Sequence, residues 1–212
     1  MKKYLMLVAF LMLNTQLSIA NAQQVPIELA PLSLWKEQKF VDETDYSIVD
    51  DNGITVIKAQ SNAAASMLLQ EIPVDLTKTP YINWQWKVEN TIAKEDEKAK
   101  AGDDYPARIY IAVPNSLFSL YPRALNYVWA SQSEQNTHWE NPYTDDVIML
   151  AVQNGEENVG QWITEKRNLR EDLEKVFGKD FKNIQGIAIM TDTDNLEAEA
   201  TAFYKNIYFS EN

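Results

Sequence analysis

The sequence contains no cysteine and a single histidine, His138. Without a thiol there is no disulfide, no thiolate nucleophile and no cysteine to carry a lipid. One imidazole cannot assemble a multi-histidine zinc site. Any serine triad would have to run through His138, which stands in the polar stretch Asn136-Thr137-His138-Trp139-Glu140. Glycine is scarce, at six residues, and none falls in a Walker loop, a dinucleotide-binding pattern or a Gly-x-Ser-x-Gly elbow. Basic residues are outnumbered, 19 Lys and Arg against 31 Asp and Glu, for a net charge of −12. That surplus repels nucleic acid and anionic membrane surfaces. Direct ligands are therefore expected to be neutral or cationic, or to arrive with a bound cation, and no nucleic-acid partner is expected.

Long apolar runs are also missing, so no membrane span is expected. The one apolar stretch near the start, residues 4–13, follows Lys2 and Lys3 and precedes Ala20-Asn21-Ala22. A basic segment, a short apolar segment and a small-x-small site together predict a secretory leader over residues 1–22, too short to cross a bilayer. Losing its two lysines takes the net charge to −14 over residues 23–212, which are expected to form one exported domain, periplasmic or secreted.

What is present reads mostly as strands. Residues 45–59 carry two β-rich runs around Asn52-Gly53, a hairpin signal because both turn residues tolerate positive φ. Residues 81–89 alternate, with Ile82, Trp84, Trp86 and Val88 on one face. Further strands are expected near residues 67–74, 107–113, 125–130, 146–153, 161–166, 185–191 and 201–209, punctuated by Pro114-Asn115, Asn141-Pro142 and Asn154-Gly155. One helix is expected over residues 169–177, capped by Asn168 and stopped by Gly178. The charged segment 92–101 is expected as a loop or short surface helix bordering Asp103. This pattern predicts an all-β, mainly antiparallel sandwich of jelly-roll type with one short helix.

Three constellations carry candidate chemistry. Asp192, Asp194 and Asn195 end an apolar run, and on a continuing strand the two aspartates share a face. They begin like a calcium loop, but Leu196 and Glu197 occupy positions that an EF-hand gives to a ligand and a glycine. Calcium held by strand-end oxygens remains an open alternative to arginine pairing or a simple turn. Asp103 and Asp104 precede Arg108, and Glu165 precedes Arg167; an arginine fork beside carboxylates suits a structural pair or a clamp on a polar ligand. Tyr127 and Trp129 share a face around Asn126, a geometry suited either to core packing or to stacking on a sugar.

Taken in order, Asp103-Asp104-Tyr105-Pro106-Ala107-Arg108-Ile109-Tyr110, Ala124-Leu125-Asn126-Tyr127-Val128-Trp129, Trp162-Ile163-Thr164-Glu165-Lys166-Arg167-Asn168, Phe177-Gly178, Ile187-Ala188-Ile189-Met190-Thr191-Asp192-Thr193-Asp194-Asn195 and the closing residues 202–209 resemble a family of exported bacterial proteins known as domain of unknown function 3047. Leu196 departs from the family pattern, which favours a small or turn-forming residue there. The resemblance implies no established reaction. The closing residues 204–209 are also similar to the last strand of galactose-binding-like jelly rolls, which implies a sandwich and makes glycan binding an analogy.

Three functions are compatible with these residues. The first is an exported binding module for a neutral saccharide or another small polar cell-envelope component. The second is a carbohydrate-active hydrolase or lyase using Asp103, Asp104, Glu165, Asp192 or Asp194 as acid and base. The third is a scaffold that binds another envelope protein. The sharpest structural expectation is that Arg108, Trp129, Arg167, Asp192 and Asp194 converge in one polar cluster.

Overall fold

The computed structural model describes residues 22–92, 95–115 and 122–212. Of the expected leader only Ala22 is among them. Strands appear where the alternation predicts them. The Asn52-Gly53 turn, with φ of 56° and 84°, joins β3 (Asp45–Asp51) to β4 (Ile54–Asn62). β5 (Ala65–Asp75), β6 (Tyr81–Val88), β7 (Tyr105–Val113) and β8 (Arg123–Ala130) follow. β10 (Thr144–Asn154), β11 (Ile163–Asn168), β12 (Asn183–Asp192) and β13 (Glu199–Ser210) complete the expected set. Three strands carry no alternating signal: β1 (Gln24–Pro26), β2 (Lys36–Val41) and β9 (His138–Asn141). β2 and β9 are sheet edges, where one ladder suffices and neither face of β2 is buried.

The strands form two sheets. One runs β11-β6-β13-β4-β3, with β1 against β13; the other runs β2-β5-β12-β7-β8-β10-β9. The chain passes from sheet to sheet at β1 to β2, β2 to β3, β4 to β5, β5 to β6, β6 to β7, β10 to β11, β11 to β12 and β12 to β13, so the two sheets wrap one core as a jelly-roll sandwich. Pairing is antiparallel except between β8 and β10, which run parallel. Residues 131–143 make this possible, since they supply the long return that a parallel pair needs.

Trp84 and Trp86 of β6 face Tyr127 and Trp129 of β8 across the gap between the sheets. Trp84 stacks on Tyr127 at 5.2 Å, meets Trp86 edge-on at 5.5 Å, and Trp86 lies 5.9 Å from Trp129. These contacts fill the centre of the core with large flat surfaces. Helix α1 (Leu169–Phe177) spans the predicted residues: the Asn168 side chain accepts from the Glu171 amide, and Gly178 closes the helix in the left-handed conformation. The segment before β7 folds over the outer face of β8 and β10. Glu97 fastens it there, its buried carboxylate accepting from the amides of Ser131 and Ser133. Tyr105, Val128, Trp139 and Met149 form a small second core beneath it.

The outer face of the seven-stranded sheet is hollow because its central positions are small: Gly186 and Ala188 on β12, Ala112 on β7 and Ala124 on β8. Gly186 stands beside a bulge against β5, where an added Cβ would come within 2.8 Å of the Gln70 carbonyl oxygen. Gly186→Ala must push β5 and β12 apart and is expected to lower stability by about 1–3 kcal/mol. A urea unfolding curve checks this, and a midpoint equal to the parent's would show that the two strands yield freely at that bulge.

Candidate functional site

β7 and β12 lie side by side, and their ends bring six of the expected residues together: Asp103, Asp104, Arg108, Asp192, Asp194 and Asn195. Arg108 points to the outer face of the sheet and is almost fully buried, at 2% exposure. Its Nη1 donates to Asp192 Oδ2 at the end of β12. Its Nη2 lies 3.6 Å from Asp103 Oδ1. The Asn126 amide, oriented with its oxygen toward these donors, accepts from Arg108 Nε at 3.0 Å, from Nη2 at 3.1 Å and from the Tyr110 hydroxyl at 3.2 Å. The rings of Tyr105 and Tyr110 flank the guanidinium at 4.6 and 5.3 Å. From the opposite sheet, the Tyr204 hydroxyl accepts from the Arg108 amide at 3.3 Å and donates to the Met190 carbonyl at 2.6 Å. A guanidinium out of water needs acceptors for its whole fork of donors, and this cage supplies them.

Around this pair the acidic residues divide the work. Asp104 accepts from the Asn195 amide at 3.1 Å, the Asn195 side chain at 3.0 Å and the Leu196 amide at 2.8 Å, which holds the turn after β12. This explains why Leu196 is tolerated: the turn is held by Asp104 from another segment. Asn141 donates to Asp103 Oδ2 at 2.9 Å. Asn195 in turn accepts from the exposed Tyr143 hydroxyl at 2.6 Å. Asp194 is half-buried at the mouth of the cluster.

One guanidinium cannot balance two buried carboxylates. Burial pushes Asp192 well above the ordinary aspartate range and pushes Asp103 up as well, with Arg108 opposing in both cases. Asp103 and Asp192 therefore titrate as a unit that keeps one proton after a free aspartate would have lost it. Burial and the nearby Asp104 carboxylate push Asp194 up too.

One carboxylate oxygen each from Asp104, Asp192 and Asp194 lie within 4.8 Å of one another. Calcium is the cation such oxygens would take, but its shell needs six to eight of them. Asp104 already holds three N–H donors and Asp192 holds the guanidinium, so most of that shell would have to be water.

The other expected residues do not join this cluster. Tyr127 and Trp129 are fully buried between the sheets against Trp84 and Trp86, and they have no face left for a ligand. Arg167 makes a bidentate pair with Asp172 of α1, at 2.8 and 2.7 Å, and the Tyr127 hydroxyl donates to the same carboxylate. Glu165 accepts from Gln153 at 2.7 Å, tying β11 to β10 at the open side of the sandwich. The expected convergence is thus corrected to two networks: one on the outer face of the seven-stranded sheet, one between the sheet edges. Sequence reasoning left Asn126, Asn141, Tyr105 and Tyr143 out of the site. Asn126 had a readable signal, an amide set among apolar residues in mid-strand; Tyr105 and Asn141 sit at the ends of β7 and β9, and Tyr143 lies in the turn between β9 and β10.

The cluster closes one end of a cleft of about 900 Å³ on the hollow outer face. The floor is Met67, Leu69, Ala112, Ala188 and Val147; the rim carries Phe40 and Tyr143, both more than half exposed. Residues 33–208 match the family model described as Protein of unknown function (DUF3047). The chain belongs to this family. No curated protein sequence matches this DUF3047 member. Solved structures similar to it include the xyloglucanase domain of NopAA, a type three effector from Sinorhizobium fredii, at 9% identity and TM-score 0.49, covering 83% of this chain and 92% of that one. The family 11 xylanase from Neocallimastix patriciarum shows 9% identity and TM-score 0.47, over 88% of this chain and 95% of that one. A family 29 carbohydrate-binding module, the CBM29-2 mutant R112A, shows 12% identity and TM-score 0.34, over 90% and 94%. At these values none of them bears on the chemistry of this chain.

Two predictions test the cluster. Asp192→Ala leaves Arg108 buried with only the more distant Asp103 to balance it, and is expected to cost about 2–4 kcal/mol. Thermal melts with calcium and with a chelator check it: a melting point that follows calcium would assign the aspartates to a cation instead. The second concerns pH. The folded state holds a proton that the unfolded chain, with aspartates near pKa ~3.9, releases. That stability is complete below about pH 4 and is lost as pH rises through the raised value. Asp103→Asn should flatten the decline in urea midpoint on the alkaline side, whereas an unchanged slope would place the proton elsewhere.

Proposed function

We propose that this chain is an exported binding module whose ligand is a neutral saccharide held in the cleft of the seven-stranded sheet. The observation that carries the reading is the cleft itself. Its volume of about 900 Å³ is that of a small-ligand site. An apolar floor and the exposed rings of Phe40 and Tyr143 suit the C–H faces of a sugar. At the closed end, Asp194, Asn195 and Tyr143 present donors and acceptors to hydroxyl groups, and the Arg108 cage fixes the segments that carry them. The carboxyls there, in a chain of net charge −12, disfavour an anion in this cleft. Export rests on the leader motif of residues 1–22.

A hydrolase is the second reading, favoured by one observation: Asp192 and Asp194 line the same cleft, both with raised affinity for a proton. Against it, Asp192 is committed to Arg108 and Glu165 lies in the other network, which leaves Glu71, exposed on β5, as the free carboxyl that shares the cleft with Asp194. No hydrogen bond or ion pair among the described residues fixes the Glu71 side chain, and an unpositioned partner carboxyl fits binding better than turnover.

A glycan array followed by calorimetry tests the proposal. A neutral oligosaccharide should bind, and Tyr143→Ala should weaken it about tenfold, near 1.4 kcal/mol. Ala188→Leu, which fills the floor, should abolish it. Reducing-end release from the bound glycan would move the assignment to the hydrolase. Absence of any neutral binder would sink the saccharide reading and leave a protein partner as the occupant.

A further inference from the structure

On the opposite side of the sandwich, the outer face of the smaller sheet carries a row of alternating cations and rings. β4, β13 and β6 are in register there: Phe203 stands opposite Lys58 on one side and Lys87 on the other. Trp162, immediately before β11, continues the row beyond Lys87. The Lys87 ammonium lies 4.2 Å from the Phe203 ring centre and 5.7 Å from that of Trp162, and the Lys58 ammonium 6.0 Å from Phe203. Phe203 and Trp162 meet edge to face at 6.3 Å. Below the row, Lys205 lies 3.8 Å from the Trp162 ring centre and pairs with Asp51 at 2.8 Å.

Two features set this face apart. In a chain with 31 acids and 19 bases, Lys58 and Lys87 form no ion pair among the described residues and rest on rings instead. Both lysines and both rings are half-buried, so the side chains are held in place yet still reach solvent. Four strands at about 4.8 Å spacing make the row about 14 Å long. It is narrow and flat, with cations and apolar ring edges alternating along it. Exposed Glu89, two residues beyond Lys87, limits it on one side.

We propose that this row is a second, separate binding site, for a short anionic oligosaccharide bearing carboxylates, such as a uronic-acid oligomer. The sugar rings would lie along Phe203 and Trp162, with carboxylates on the Lys58 and Lys87 ammonium groups. A short chain laid on the row feels mainly the local lysines, since charges beyond roughly 8–10 Å are screened at physiological salt. An anionic membrane or a nucleic acid, spread over a wider area, meets the net negative charge of the whole protein. The site is independent of the cleft, being formed by the other sheet and by charge of the opposite sign.

Calorimetry with trigalacturonate, on the full exported chain, tests it. Binding should weaken about tenfold in Lys87→Ala and in Trp162→Ala, stay within about threefold of the parent in Lys87→Arg, and fall several-fold as salt is raised. Tyr143→Ala and Ala188→Leu, which alter the cleft, should leave it unchanged. Thermal melts of each variant verify folding, and Lys58→Gln on the exposed flank gives a second reading should Trp162→Ala unfold. The proposal is overturned by no binding of trigalacturonate, by binding that these row variants do not alter, by equal binding of the neutral galactose trimer, or by stronger binding to vesicles of anionic lipid.

Discussion

A positive charge taken out of water at Arg108 constrains everything around it. Tyr105, Tyr110, Asn126 and Asp192 enclose the guanidinium, so each of its donors must find an acceptor within the protein. Asp192 answers from the neighbouring strand, Asn126 from the strand on the other side, and Asp103 from the loop leading in. Tyr204 answers from the other sheet through the backbone amide. These partners come from four segments, three of them distant from Arg108 in sequence. The pair therefore locks sheet register, the approach of the two sheets and the course of the loop that Asp103 and Asp104 occupy.

The proton that burial leaves on Asp103 and Asp192 follows from the same imbalance. One cation neutralises one carboxylate, and the second lowers its cost by staying protonated. Asp104 accepts from three N–H donors, and these bonds hold the turn that carries Asp194 and Asn195. The polar end of the cleft is thus rigid by construction, while its floor is set by the small residues of β7, β8 and β12. Function and scaffold meet at a single strand boundary, where the side chains change from apolar to acidic.

Much of the fold was legible before any coordinates. Alternation through Ile82, Trp84, Trp86 and Val88 marks a strand with one buried face, and Asn52-Gly53 marks the hairpin of β3 and β4, because both signals are local and steric. Asn168 and Gly178 delimit the helix for the same reason. β2 and β9 were not legible: an edge strand is held by one ladder and needs no pattern. The parallel pairing of β8 with β10 was equally hidden, since strand order depends on how the return loop packs.

Of the candidate site, the sequence by itself determined the chemistry: which carboxylates end strands, which arginines sit among them, which chemistries the missing cysteines and the lone histidine exclude. The pairing of Arg108 with Asp192, rather than with Glu165, was decided only when β7 and β12 came to lie side by side. Tyr127 and Trp129 share a face in the sequence just as convincingly as Arg108 and Tyr110 do. Only tertiary structure decided that their face meets Trp84 and Trp86, while the opposite face meets the cleft. Alternation along a strand says that two faces differ; which of them another sheet covers is settled by the long-range packing that buries the larger apolar area.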